Sequence, residues 1–250
     1  MLGYGIMKPY SNISCFSTTR HGGCGEGAYA TFNCTHYCGD NPEQVKSNLE
    51  KLAMSLPERP RLFVIPRQTH TTNVRIITDV PTLEELQDVD AVVTHLKGFC
   101  LCVSTADCVP ILIYDKVKQV IAAVHAGWRG TVGRIVEKTL EAMKSHYGTE
   151  GKDVIACIGP SISLESFEVG DEVYNVFTEA GFDMDRIAKK YEKWHLDLWE
   201  ANRLQLLAQG VLPEHIEVAG ICTYQQHEDF FSARRLGIKS GRILSGIMLM

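Results

Sequence analysis

No apolar run in this chain of 250 residues is long enough to cross a bilayer. The densest apolar stretches, 109–114 and 120–124, fall far short of the ~20 residues a spanning helix needs. They read as buried strands instead. A long basic run is also missing and the formal charge is −5, so nothing electrostatic favours nucleic acid or an anionic membrane as partner. An anionic substrate therefore has to be held by a few local arginines. Residues 1–10 lack the charged start and apolar centre of a secretory signal. The nine cysteines are an odd number, which argues against a complete disulfide framework. A cytoplasmic protein with reduced thiols is expected, and each cysteine is then a core residue, a ligand or a nucleophile. No G-x-G-x-x-G, Walker or G-x-S-x-G motif follows a strand, which disfavours Rossmann, P-loop and α/β-hydrolase folds. None of the nine histidines stands in a His-x-His pair. A true multicopper oxidase, with a mononuclear centre and a trinuclear cluster, needs many such ligands.

What is present suits one globular domain over residues 1–250. Hydrophobic residues make up 45% and charged residues 22%, enough to bury a large core without disulfides. There is no internal repeat, low-complexity tract or linker. The GGCGEG stretch at 22–27 is a loop by its glycines. Asn41-Pro42-Glu43 opens a helix that continues through the periodic stretch 45–54 and is ended by Pro57 and Pro60. Short strands are predicted at 61–65, 73–77 and 91–94, with a short helical turn at 83–86 before the last. The centre is three consecutive strands at 99–104, 111–115 and 120–125. A helix over 131–147 follows, with Val132, Ile135, Val136, Leu140 and Met143 at helical spacing. Further on come a strand at 154–158, helices at 171–180 and 195–209, and strands at 216–221 and 243–250. Interleaved elements with short strand connections imply an α/β (α+β mixed) domain with mixed β-sheets and outer helices.

Three residues stand out chemically. His125 ends the apolar strand in VIAAVHAGWRG, where two glycines free the backbone and Arg129 adds a cation. Cys108 lies in STADCVP, and His70 in RQTHTTNV between two predicted strands. Singly, each has an ordinary reading as a core histidine, a packed thiol and a surface histidine. Together, two imidazoles and one thiolate are the ligand set of a zinc site with its fourth position open to water or substrate. Copper(II) accepts the same donors and stands above zinc in the affinity series, so it is the alternative metal. Cys108 can also be read as the nucleophile of a Cys–His hydrolase, a role that competes with ligation. Cys100 and Cys102, two apart in a strand, face one side and read as packing residues.

The segments FSTTRHGG, TFN with GD, QTHTTNV, DVDAVVT, LCVSTADCVPI, AAVHAGWRGTVG, CIGPSI with FEVG, and FFSARR with GR resemble one family. It is the laccase-domain family, also called multicopper polyphenol oxidases, purine nucleoside phosphorylases and peptidoglycan-editing factors, and the resemblance runs from about residue 14 to the C-terminus. It implies a metal site at His70, Cys108 and His125, and a layered sandwich similar to a cysteine-hydrolase fold. It implies phosphorolysis of adenosine, inosine, guanosine and methylthioadenosine, and deamination of adenosine. Copper-dependent phenol oxidation and hydrolytic editing of peptidoglycan precursors are the family's other associations. The expected partners are thus a purine nucleoside and phosphate.

For deamination, Cys108 and His125 belong to the catalytic centre, and Asp107 is the adjacent carboxylate able to move protons or to orient a ligand. For phosphorolysis, Arg20, Arg129 and Arg242 are the candidate phosphate-binding cations, because guanidinium grips phosphate through two donors. Asn33 is a candidate for ribose or base. Trp128 reads as a loop-to-helix anchor. One departure from the family pattern is clear: Tyr37 stands where many members have histidine, within a Cys34-x-His36-x-Cys38 cluster. A second metal site can be read from Cys34, His36 and Cys38, but three ligands within five residues is unusual spacing, and Cys34 replacing leucine in a packed segment is the simpler reading.

Overall fold

Successive side chains of a strand point to opposite faces, and in the central strands of this chain both faces are apolar. Within Val109–Asp115, Ile111 and Ile113 join one buried cluster while Leu112 and Tyr114 join another. Within Phe99–Thr105, Leu101 and Val103 face that second cluster, and Cys100 and Cys102 face a third. Strands of this kind must be covered on both sides, which demands layers.

The computed structural model describes residues 1–250. Its strands are β1 (Leu2–Gly3), β2 (Ile13–Ser17), β3 (Leu62–Val64), β4 (Val74–Ile76), β5 (Ala91–Thr94), β6 (Phe99–Thr105), β7 (Val109–Asp115), β8 (Val120–Ala126), β9 (Val154–Ile158), β10 (Glu168–Val169), β11 (Ala188–Lys190), β12 (Trp194–Leu196), β13 (Ile216–Val218) and β14 (Ile243–Leu249). Its helices are α1 (Pro42–Ser55), α2 (Trp128–Val132), α3 (Ile135–Tyr147), α4 (Asp171–Glu179), α5 (Met184–Ile187), α6 (Leu198–Ala208) and α7 (Ala233–Leu236).

One sheet has the order β1-β2-β14-β6-β3 and a second the order β13-β9-β7-β8-β5-β4, with a small third sheet β10-β12-β11. Both large sheets are mixed: β3 runs parallel to β6, β4 to β5 and β13 to β9, and their other pairs are antiparallel. The space between them is filled by Leu101 and Ile247 from one side and Leu112, Tyr114 and Ile121 from the other. α3 and α6 cover the outer face of the six-stranded sheet through Ile135, Met143 and Leu206. α1 covers the other outer face through Leu52, beside Cys100 and Cys102. The result is four layers, helix–sheet–sheet–helix.

Several elements differ from the sequence expectation. The helix expected over 131–147 is two helices, with Arg134 between them at a φ of 63°. Gln205 of α6 donates to the Thr131 carbonyl at 2.9 Å, and a Cβ at Gly133 would come within 2.6 Å of Thr72. The chain turns there because α6 and the 70s loop press on it. The helix expected over 195–209 starts only at Leu198: Asp197 caps it by accepting from the Glu200 N–H at 2.9 Å, and Trp194–Leu196 is a strand. Residues 83–86 form turns and no helix. β2 carried no clear signal because Ser14 and Ser17 break its apolar pattern; buried Ser17 is satisfied by Tyr4 and Ser245, each at 2.6 Å.

Leu112 is fully buried between the two large sheets. Leu112→Ala is expected to cost about 2–5 kcal/mol of stability, read from urea unfolding. A loss well under 1 kcal/mol would contradict the two-sheet core.

Candidate metal centre

Two loops that carry the chain from the five-stranded to the six-stranded sheet build the site. The first joins β3 to β4 and carries His70; the second joins β6 to β7 and carries Cys108. The third residue, His125, lies near the end of β8, opposite Pro110 in the antiparallel register, so Cys108 falls beside Gly127. One ligand atom from each of His70, Cys108 and His125 lies within 4.8 Å of the others. His70 Nε2 is 3.7 Å from Cys108 Sγ, and the two imidazoles meet edge to face at 4.9 Å between centroids. His70 is exposed, Cys108 half-buried and His125 buried. Gly127 permits this approach: a Cβ there would sit 2.9 Å from His70 Cδ2 and 3.1 Å from Cys108 Sγ.

Asp90 organises the group, and no single-residue signal had marked it. It lies immediately before β5 and is fully buried. One carboxylate oxygen accepts from His125 Nδ1 at 2.7 Å and from the His70 N–H at 3.1 Å. The other accepts from the Thr71 N–H at 2.8 Å, the Thr71 hydroxyl at 2.7 Å and the Thr69 N–H at 3.3 Å. Holding the Nδ1 proton of His125 leaves Nε2 as the ligand atom. The same carboxylate holds His70 at a φ of 65°, an uncommon region for a residue with a side chain. Gln68 docks the loop from its other end, donating to the Ser104 carbonyl at 2.9 Å and accepting from the Ser104 N–H at 2.7 Å. In the sequence Asp90 stands in the DVDAVVT segment, directly before a mostly apolar strand, where a buried charge needs partners.

The electrostatics follow from this packing. Burial alone would raise the Cys108 thiol, but the imidazoles of His125 and His70 outweigh it and bring it from 9.0 to about 6. Burial alone would lower His125, but the Cys108 thiolate and Asp90 lift it from 6.5 to about 9. Burial also works against the Asp90 carboxylate, and hydrogen bonds from His125 and Thr71 hold it below its ordinary value. A preformed thiolate with two converging imidazoles fits a transition-metal ion of the zinc or copper type.

The other predicted site residues are placed as follows. Both oxygens of Asp107 are engaged, by the Thr223 hydroxyl and the Arg234 N–H, each at 2.8 Å. Arg20, a candidate phosphate cation, donates to the carbonyls of Ala30 and His227 and lies over Phe231, so part of its donor set braces these loops. Arg242, the third candidate cation, donates to the carbonyls of Ser240, Gly241 and Ile238. Asn33 is fully buried, donates to Asp40 and the Thr35 carbonyl, and accepts from the Arg242 N–H. Arg129 is exposed and rests on the Trp128 ring at 4.3 Å, with its donors free. Trp128 is the first residue of α2. Cys34 is packed beside Phe16, Phe32 and Leu52, as expected of a residue standing in for leucine. Tyr37 donates to Gln68 at 3.2 Å, supporting the loop that bears His70.

Fold and site together define a layered mixed α/β protein with a His–Cys–His centre at the crossings between its two sheets. The model of the multi-copper polyphenol oxidoreductase laccase family matches residues 14–250, and the chain belongs to that family. A Bacteroides thetaiotaomicron protein named purine nucleoside phosphorylase is 58% identical over 259 residues, covering 100% of this chain and 96% of its own. A protein named adenosine deaminase RL5, from an unknown prokaryotic organism, is 42% identical over 250 residues, covering 96% of this chain and 95% of its own. The crystal structure of the Bacillus licheniformis hypothetical protein YfiH matches with a TM-score of 0.90 at 28% identity, covering 96% of this chain and 94% of its own.

Two outcomes test the site. Asp90→Asn is expected to weaken zinc affinity about 10- to 100-fold in a chelator competition; unchanged affinity would remove Asp90 from its organising role. In metal-free protein the lowered Cys108 value gives stability fully present above pH 9.0 and lost as pH falls through about 6. The raised His125 value gives stability fully present below pH 6.5 and lost as pH rises through about 9. Ultraviolet thiolate absorbance should therefore rise near pH 6 and be missing in Cys108→Ala. A first rise near pH 9.0 would contradict the pairing.

Proposed function

We propose that this chain is a zinc-dependent purine nucleoside enzyme, an enzyme of the kind named in its relatives. It would cleave adenosine, inosine, guanosine and methylthioadenosine with phosphate, and deaminate adenosine. One observation carries the reading: the ligand atoms of His70, Cys108 and His125 converge, and His70 is exposed. Zinc held there would supply Lewis acidity to whatever occupies its open position. The protein's own residues do the rest. Asp90 fixes the tautomer of His125 and the backbone of the His70 loop, and Cys108 contributes a thiolate near neutral pH. Arg129 offers an exposed guanidinium for the incoming phosphate. In phosphorolysis a phosphate oxygen bonds to the anomeric carbon as the carbon–nitrogen bond breaks and the base leaves with a proton. In deamination water adds at C6 and ammonia departs.

Copper-dependent phenol oxidation, which the family description names, draws on the same donors. Three ligands at one centre fall short of the sets needed for four-electron reduction of oxygen. Peptidoglycan-precursor editing would use the same opening. A cytoplasmic location goes with this reading, since all nine cysteines are free thiols. No helix is long and apolar enough to cross a membrane.

Zinc-loaded protein incubated with adenosine should release adenine only when phosphate is present, and inosine without it. Both products should vanish in His125→Ala. Absence of any nucleoside turnover, together with phenol oxidation by the copper-loaded form, would overturn the proposal.

A further inference from the structure

A cleft of about 390 Å³ lies between α1 and residues 59–63, and none of its lining residues is a ligand of the metal centre. Its size falls in the range of small-molecule sites. The floor is apolar: Val45 is buried, and Leu49 and Phe63 are half-buried. The rim carries three exposed cations, Lys46, Arg59 and Arg61, against one carboxylate, Glu50. None of these four joins any of the ten ion pairs of the structure. A local excess of positive charge thus stands unpaired in a chain whose formal charge is −5.

Arg61 is also held in place. Its backbone N–H donates to the Gly98 carbonyl at 2.8 Å. Its side-chain stem lies so close over Gly98 that a Cβ there would fall 2.8 Å from Arg61 Cδ. A packed stem with a free guanidinium loses less conformational freedom on meeting a ligand than a loose surface arginine does.

We propose that this cleft binds a small phosphorylated molecule with a flat apolar body. Unpaired guanidiniums select an anion, and their forked donors match phosphate oxygens two at a time. The Phe63 ring and Leu49 offer a surface on which a flat body replaces water. Glu50 repels a second anionic group, which favours a single phosphate over a polyphosphate.

The test is calorimetric titration of the full zinc-loaded chain with phenyl phosphate, against inorganic phosphate, phenol and benzoate. Phenyl phosphate should show a binding step, separate from any phosphate binding at the metal centre, about tenfold or more tighter than phosphate or phenol gives. Combining Arg59→Ala with Arg61→Ala should weaken it by about tenfold or more, with adenosine turnover unchanged. Combining Arg59→Lys with Arg61→Lys, which keeps charge and loses the fork, should weaken it less. Three results would overturn the proposal: no saturable binding, binding indifferent to the double alanine change, or tighter binding of benzoate. Because the readout is binding of a compound that is no nucleoside, it stands or falls separately from the nucleoside reaction.

Discussion

The Asp90 carboxylate joins the two parts of the chain that must meet for this site to exist. It binds the imidazole of His125 at the end of one strand and the backbone of the His70 loop arriving from the other sheet. A buried carboxylate is costly unless its lone pairs are filled, and here the filling groups are the ligand-bearing segments themselves. The position of Asp90 follows from the sheet. Ala91 pairs with Val124, so the preceding residue lies beside His125, whose N–H donates to the Asp90 carbonyl at 2.7 Å. Correct strand register and correct site geometry are therefore one condition.

The layered core explains why the site lies where it does. Strands apolar on both faces need a cover on each side, here a helix layer and the other sheet, and a chain that threads both sheets must cross between them. The β3–β4 and β6–β7 crossings deliver His70 and Cys108 to the same edge. The second crossing is tight: Asp107 takes a φ of 82° and ties the turn to Thr223 and to the start of α7. Cys108 is thereby turned toward the imidazoles. An open metal position at such an edge is reachable by a small molecule while its ligands stay anchored in the core.

The arginines show how little residue type says about availability. Arg20, Arg129 and Arg242 are equally able to grip phosphate by their chemistry. In the fold, Arg20 and Arg242 direct some of their donors to backbone carbonyls of nearby loops, while Arg129 makes no such bond and rests on the Trp128 ring. Guanidinium has five donors, and whether loop carbonyls consume them depends on how distant segments pack. Meanwhile Arg59 and Arg61, with no motif to mark them, line an open cleft.

Strands β5 to β9 were legible because short apolar runs and turn residues are local, and α1 because Asn41 and Pro42 cap it where they stand. The ligand types were legible as well, since imidazole and thiolate chemistry belongs to His70, Cys108 and His125 in any fold. Long-range contacts decided the rest. The break at Arg134 answers to α6 and Thr72, and the strand at Trp194–Leu196 exists because β10 and β11 pair with it. Asp90 acquired its role only when β5 was laid against β8. The sequence by itself determined the metal-binding chemistry and the two-sided strands; the tertiary structure alone decided which donors converge and which are spent on the fold. The reason is physical: periodicity and side-chain chemistry are carried by neighbouring residues, whereas hydrogen-bond saturation depends on segments far apart in the chain.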